Sequence, residues 1–408
     1  MYNYHTLDNG IRIIFRKNSS NVVYSGVYIN VGSRIEQGPE EGMAHFIEHS
    51  IFKGTEHRKS YHILNRIDGV GGELDAFTTK EETCVYASAL TEHLERCLEL
   101  FSDILFCSTF PEHEIEKEKD VVIEEINLYK DSPADLIYDE FEERFFANHP
   151  LSHNILGTKK NVKHFSPQML KEFMTKHYTP NRMVVSVVGD VDFQRLVRLC
   201  EKYFGSVPCG SSTSNAVRAD APVLQQPFNV TLNKRTHQVH MMVGCAAPTM
   251  FGEKKTAFTL LNNILGGPAM NSRLNIAVRE KHGFCYTIES QYVPFTDAGI
   301  FYIYAGVDGD AASRSTDLIM AEMARLRDTL LTPQQLRSAQ KQLIGQMAIQ
   351  ADSGLNEMQS IGKAYMNFDH VDTLDEMNRD ILALTAEDIQ AVAKEYLAED
   401  RFSFLYYK

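Results

Sequence analysis

The segment that decides the fold, residues 39–54, reads PEEGMAHFIEHSIFKG. Pro39 suits the first position of a helix, and Glu40 and Glu41 favour its positive end. Gly54 is suited to ending the last turn. The sequence therefore predicts a helix from Pro39 to Gly54.

Three polar side chains share one face of this predicted helix. At about 100° per residue, His45, Glu48 and His49 project within roughly 100° of arc. Two imidazoles four residues apart can bind one tetrahedral metal ion from adjacent turns. Glu48 would then stand beside a water held by that metal. The order H-x-x-E-H is the inverted form of the H-E-x-x-H metallopeptidase motif.

The alternative is that these polar residues share a solvated helix face by chance. Five apolar residues argue against it, because they make most of the helix circumference apolar and so indicate a buried helix. Buried His and Glu side chains need partners. The pattern therefore favours a metal site; the five residues are Met43, Phe46, Ile47, Ile51 and Phe52.

Length and composition indicate a globular protein with more than one core. The chain has 408 residues, 43% of them hydrophobic, and a formal charge of −13, which argues against a nucleic-acid partner. We see no signal peptide and no apolar stretch near the ~20 residues of a membrane helix. The cysteines lack C-x-x-C spacing, which is typical of reduced thiols. We therefore expect a soluble, cytoplasmic protein without a membrane partner; its seven cysteines are Cys84, Cys97, Cys107, Cys200, Cys209, Cys245 and Cys285.

Strand and helix patterns alternate through the first half. β-branched and aromatic runs predict strands, and apolar residues at helical spacing predict helices. The predicted strands are Ile11–Phe15, Val22–Val31, a pair within Glu73–Leu90, and Met183–Val188. The predicted helices are 39–54, Ser60–Ile67, Leu94–Leu105, one from Pro111, Ser166–His177 and Phe193–Phe204.

The helix from Pro111 offers a carboxylate to complete the site. On a helical wheel, Glu118 and Glu125 border the apolar stripe, whereas Glu116 and Glu124 face away from it. A carboxylate at the edge of the core is the missing ligand of a His/His/carboxylate zinc site. The alternative, an ordinary acidic helix surface, stays open at this point, especially for Glu118.

The order of elements restarts after a segment without periodicity. Residues 209–227 are rich in Ser, Pro, Ala and Gly and predict a linker between a first half, 1–208, and a second half, 228–408. A strand at Val239–Cys245 and a helix at Thr256–Leu265 then repeat the earlier order. A last strand, Arg401–Tyr407, corresponds to Met183–Val188 of the first half. The second helix has Leu261 and Asn262 in the region where the first has His45, so we expect no metal in the second half.

Several spaced motifs resemble one family. HFIEH followed by SIFKGT, then GGELDAFTTKEET, then EKDVVIEEINLYKDSPADLIYD, are similar to the pitrilysin-like zinc peptidases. Within them the chain resembles the branch of the mitochondrial processing peptidase and its bacterial relatives, over nearly its whole length. The resemblance implies an α+β fold of two similar domains, each a mostly antiparallel sheet packed with helices. It also implies dimerisation into a clamshell that encloses a peptide chamber.

The resemblance assigns further site residues. The family's third zinc ligand, 76 residues after the second histidine, falls on Glu125, and its supporting glutamate falls on Glu118. REKHGFCY resembles the family's substrate-binding segment, which places Arg279 and Tyr286 against substrate carbonyls. One Zn2+ per chain, held by His45, His49 and Glu125, is implied, although such ligands do not by themselves exclude manganese or cobalt.

The chain departs from the family pattern in the strand expected to pair with substrate. Here Asp75-Ala76, followed by Phe77, stands where the family usually has Asn-Ala. An acid at this position favours basic or N-terminally charged substrates, or is simply tolerated. Relatives also commonly have Gly, Arg and Pro where this chain has Ser152, His153 and Asn154, in that order.

These observations predict a zinc-dependent endopeptidase that hydrolyses extended peptides or unfolded segments, with Glu48 as the general base. Glu118 is expected to orient a ligand or to balance charge. One alternative is a subunit that needs a related partner chain, and another is a non-catalytic assembly subunit. The presence of Arg279 and Tyr286 favours a homodimer, since the chain then supplies both sets of residues.

Overall fold

The structure is a computed structural model that describes residues 1–209, 221–223 and 226–408. Most of the predicted linker lies outside the described residues. The first-half strands are β1 (Tyr2–Thr6), β2 (Arg12–Lys17), β3 (Val22–Ile29), β4 (Glu73–Thr78), β5 (Thr83–Leu90) and β6 (Met183–Gly189). The second-half strands are β7 (Asn229–Leu232), β8 (Val239–Ala246), β9 (Cys285–Pro294), β10 (Gly299–Val307) and β11 (Ser403–Tyr407).

Helices connect these strands. In the first half they are α1 (Met43–Ser50), α2 (Ser60–Asp68), α3 (Leu94–Phe106), α4 (Glu112–Lys130), α5 (Pro133–Phe145), α6 (Lys159–His164), α7 (Pro167–His177) and α8 (Phe193–Phe204). In the second half they are α9 (Lys255–Gly266), α10 (Ala312–Asp328), α11 (Pro333–Asp352), α12 (Gly354–Phe368), α13 (Leu374–Ala383) and α14 (Ala386–Tyr396).

The two sheets have one topology. The first has the order β1-β2-β6-β3-β5-β4 and the second β7-β11-β8-β10-β9. In each sheet one parallel pair, β2 with β6 and β7 with β11, is followed by antiparallel pairs. The second sheet therefore repeats the first without its β1, which confirms the predicted α+β fold with two similar domains.

Each sheet has helices on both faces, because its central strands are apolar on both sides. Every residue of β6 and of β10 is buried, as expected for strands without a solvated face. In the first sheet, α12 covers the face opposite α1, and the Ser186 hydroxyl donates a hydrogen bond of 2.7 Å to the Met358 carbonyl. In the second sheet, Phe141 of α5 packs against one face.

The chain forms two compact units, and each unit contains a helix from the other half of the sequence: α12 lies in the first unit and α5 in the second. One unit comprises residues 1–127, 153–209 and 349–373, and the other 128–152, 221–223, 226–348 and 374–408. The changes from one unit to the other fall within α4 and α11 as well as in loops. The division into halves 1–208 and 228–408 stays a prediction. It assigned α5 to the first half and α12 to the second.

The predicted bounds of the helix that carries His45 are wrong. Pro39 lies in a short 3-10 turn, Gly38–Glu40, and the α-helix begins at Met43 and ends at Ser50. Between them Gly42 adopts φ +92°, and a Cβ there would lie 2.8 Å from the Cα of Gly157. A left-handed residue in close contact with a second backbone interrupts the helix that Pro39 appeared to start.

In the described ranges, no helix has both the length and the apolar composition needed to cross a membrane.

Candidate metal centre

Helices α1 and α4 bring two imidazoles and a carboxylate together. The Nε2 atoms of His45 and His49 lie 3.7 and 3.5 Å from Oε2 of Glu125. The two rings are 4.7 Å apart between centroids. Positions 45 and 49 are four apart on α1, so both rings emerge from the same helix face.

The geometry and charge of this cluster fit a tetrahedral zinc ion. Two ligand atoms about 2.1 Å from such an ion are ~3.4 Å apart, close to the observed spacing. Oε2 of Glu125 is buried and accepts no hydrogen bond from the described residues. Burial, reinforced by the charge of His49, lowers the pKa of His45 to about 3. His45 is therefore neutral at physiological pH, as a metal ligand must be.

Glu48 lies next to the cluster with one carboxylate oxygen free. Its Oε2 is buried and accepts no hydrogen bond from the part of the chain that the structure describes. Burial raises the pKa of Glu48, although the Thr78 hydroxyl and the charge of His49 act in the opposite direction. A half-buried carboxylate with a raised pKa is suited to accept and return a proton.

Glu118 supports His49 from the side opposite the cluster. Its Oε1 lies 2.9 Å from Nδ1 of His49, and its Oε2 lies 2.6 Å from Nζ of Lys53. Burial alone would raise the pKa of Glu118, but the hydrogen bonds from His49 and Lys53 outweigh it and lower the pKa. The ionised carboxylate thereby fixes the proton of His49 on Nδ1 and leaves Nε2 to face Glu125.

Glu36 holds the start of α1, and it was not among the site residues predicted from the sequence. Its buried carboxylate accepts the backbone N–H groups of Gly42 and Ala44, each at 2.7 Å. It therefore satisfies donors that the first turn leaves unpaired. The contact joins a non-helical segment to the helix six to eight residues later, so no helical or strand periodicity reveals it.

The predicted substrate strand lies at the edge of the first sheet. β4, which contains Asp75, Ala76 and Phe77, is last in the strand order and pairs with β5. Asp75 is exposed, and its carboxylate accepts the Ala76 N–H at 2.8 Å and the Tyr86 hydroxyl at 3.0 Å. An edge strand of this kind offers unpaired backbone groups to an incoming strand.

Arg279 and Tyr286 lie in the other compact unit. Arg279 is in a π-helical turn, Asn275–Glu280, and Tyr286 is the second residue of β9. The guanidinium carbon is 5.2 Å from the centre of the Tyr286 ring, whose residue is 80% exposed. Stacking of the cation on the ring keeps both side chains together.

A second group of ligand-type side chains comprises His57, Asp103 and Cys107, and its carboxylate already has hydrogen-bond partners. Asp103 pairs with Nδ1 of His57 at 2.7 Å and accepts from Thr55 and from Arg58 at 2.9 and 2.6 Å. The guanidinium occupies the place that a cation would take. In the second half, α9 contains no His, Cys, Asp or Glu at all.

Two family models match most of the chain. Residues 12–159 match "Insulinase (Peptidase family M16)" and residues 164–343 match "Peptidase M16 inactive domain". The first match contains His45, Glu48, His49, Glu118 and Glu125. The second contains Arg279 and Tyr286.

Curated and solved relatives match at least 96% of this chain. A protein of Bacillus subtilis named an uncharacterized zinc protease is 34% identical, covering 97% of this chain and 96% of its own. Another of that name, from Mycobacterium leprae, is 32% identical, with coverages of 96% and 88%. The crystal structure of a protease from Helicobacter pylori superposes with a TM-score of 0.92 at 22% identity, covering 100% of this chain and 99% of that one, which shows a shared fold. With these relatives and the matched models, the chain belongs to the pitrilysin-like insulinase family, peptidase family M16.

Proposed function

We propose that this protein is a zinc-dependent endopeptidase that hydrolyses extended peptides or unfolded segments. One observation carries the proposal: two imidazole nitrogens and an unpaired carboxylate oxygen converge at 3.5 and 3.7 Å beside the free carboxylate oxygen of Glu48. The names of the curated relatives, each an uncharacterized zinc protease, support it.

His45, His49 and Glu125 would hold one zinc ion per chain. Bound there, zinc would act as a Lewis acid that polarises the scissile carbonyl and lowers the pKa of water towards ~7. Glu48 takes the proton of the attacking water on its free Oε2 and returns it to the nitrogen of the leaving amine. Glu118 keeps the His49 ring in the orientation that this chemistry requires.

The substrate would add a strand to the open edge of β4. Backbone pairing along Asp75, Ala76 and Phe77 tolerates many sequences, so side-chain pockets would set specificity. Arg279 and Tyr286 carry donors suited to peptide carbonyls, and the exposure of Tyr286 supports this role. The carboxylate of Asp75 would favour a substrate with a positive charge at the adjacent position.

We also propose that the protein acts as a homodimer enclosing a chamber. The chain carries both the metal ligands and the Arg279–Tyr286 pair, which is the observation that favours a dimer of identical chains. The alternatives are a subunit that requires a related partner chain and a non-catalytic assembly subunit. The mass of the purified protein in solution, measured by light scattering, separates a homodimer from a monomer awaiting a partner.

The test is digestion of a pool of unfolded peptides by the purified protein. Chelation should abolish cleavage and added zinc should restore it, and mass spectrometry of the products should show internal cuts. Cleavage that survives complete metal removal would contradict a metallopeptidase. Absence of cleavage by a zinc-loaded dimer would contradict an independent enzyme and favour a missing partner.

A further inference from the structure

Lys53 reaches the metal centre through Glu118. Its Nζ is 2.6 Å from Oε2 of Glu118, whose other oxygen is 2.9 Å from Nδ1 of His49. The Glu118 side chain is 7% exposed and that of Lys53 is 26% exposed. The three side chains form a continuous chain of charge-assisted hydrogen bonds that ends at a metal ligand.

The backbone around Lys53 is fixed to the helix that carries Glu118. Lys53 follows the end of α1, and its N–H donates to the Ser50 carbonyl at 3.1 Å. The next residue, Gly54, accepts a hydrogen bond of 3.0 Å from the Thr109 N–H. A Cβ at Gly54 would lie 3.0 Å from Cγ of Pro111, one residue before α4 begins. This contact sets the distance between Lys53 and Glu118.

The metal centre holds an excess of negative charge, which the ammonium group of Lys53 partly offsets. Glu48, Glu118 and Glu125 place three carboxylates around two imidazoles. A buried carboxylate is costly unless it is paired and hydrogen-bonded. An ammonium on Oε2 offsets the charge of Glu118 and leaves Oε1 directed at His49.

We propose that Lys53 is a positioning residue that holds the Glu118 side chain oriented towards Nδ1 of His49, and so sets the affinity of the centre for zinc. The inference rests on the proposed function for its metal, but its test needs no cleavage. A surface ion pair with no such role would change stability slightly and leave the metal affinity unchanged.

The test measures the zinc dissociation constant by competition with a chromogenic chelator. Lys53→Met removes the charge and keeps the length of the side chain, and Lys53→Arg restores the charge. We expect Lys53→Met to raise the constant about 10- to 100-fold, the range for partners of metal ligands, and Lys53→Arg to recover most of the loss. Lys117→Met, which breaks the exposed pair of Lys117 with Glu114 on the same helix, is the matched control and should leave it unchanged.

A double mutant tests whether Lys53 acts through Glu118. In a Glu118→Gln background, Lys53→Met should add little further loss of zinc affinity, because the carboxylate it positions is gone. Lys53→Gln serves as a second variant if Lys53→Met does not fold, as judged by circular dichroism of the metal-free protein. Unchanged affinity in folded Lys53→Met or Lys53→Gln, or equal losses in both backgrounds, would overturn the proposal. A wild-type protein that binds zinc without cleaving would instead contradict the proposed function alone.

Discussion

Nε2 of His49 lies 3.5 Å from Oε2 of Glu125, although 76 residues separate the two positions. α1 carries the histidine and α4 the carboxylate, and both helices contribute to the same apolar core. The core thus places two ligand types within the spacing of a single ion. The adjacent Glu124 is exposed and accepts a hydrogen bond from Asn127 instead.

This relationship predicts a sharp difference between neighbouring glutamates. Glu125→Gln should weaken zinc binding more than about 100-fold, beyond the loss typical of a residue that only supports a ligand, because a neutral amide oxygen replaces an anionic ligand. Glu124→Gln should leave the affinity unchanged. Zinc titration of both metal-free variants checks this, and equal affinities would remove Glu125 from the site.

Glu36 should stabilise the start of α1. Glu36→Gln replaces one carboxylate oxygen with an NH2 group that faces a backbone donor. We therefore expect the free energy of unfolding to fall by about 1–3 kcal/mol. Hydrogen exchange of the Gly42 and Ala44 amides should become faster. Glu40→Gln is the control, because the Glu40 carboxylate accepts the Gln37 N–H in the 3-10 turn before the helix and not an N–H of the first turn of α1. Unchanged exchange at both amides would show that the carboxylate is dispensable.

His177 should make stability depend on pH. Burial, together with the charges of Lys176 and Arg182, lowers its pKa to about 4, and Arg182 donates to its Nδ1 at 3.3 Å. The unfolded chain, with a pKa near ~6.5, binds the proton more readily between these values. His177 therefore contributes stability that is present above pH ~6.5 and is lost as pH falls towards 4.

The measurement is the urea midpoint of the metal-free protein between pH 7 and 4. His177→Gln should reduce the loss of stability over this window by roughly 1–3 kcal/mol. His164→Gln, at an exposed position on α6, should not change the slope. Identical slopes in wild type and His177→Gln would contradict the assignment.

Asp75 should bias the choice of substrate. Asp75→Asn keeps an acceptor for the Ala76 N–H but removes the charge, so kcat/KM should fall by a few-fold for peptides with lysine near the cut and stay constant for neutral peptides. The effect should diminish at high salt. A uniform change across all peptides would indicate a structural role for Asp75.

Regular elements were predictable from the sequence where periodicity was strong. The i, i+4 spacing of His45 and His49 and the wheel positions of Glu118 and Glu125 placed these side chains on the correct helix faces. The apolar run Met183–Val188 predicted a strand that the structure confirms as β6.

Contacts between non-periodic segments were not predictable in the same way. Pro39 lies in a 3-10 turn and does not start the α-helix that its position predicted. The close contact between Gly42 and Gly157 forms only when the chain folds, so the local sequence does not reveal it. Glu36 and Lys53 act from loops whose positions depend on the packing of α1 and α4. Amphipathic spacing also does not say which sheet a helix covers, so the exchange of α5 and α12 was missed.

The most direct test of the central claim is the turnover of Glu48→Gln, measured together with its zinc content. The substitution preserves shape and leaves His45, His49 and Glu125 in place. We predict one zinc ion per chain, as in the wild type, and a loss of peptide cleavage of at least about 10²- to 10⁴-fold. A zinc-loaded Glu48→Gln protein that cleaves peptides at the wild-type rate would contradict the account.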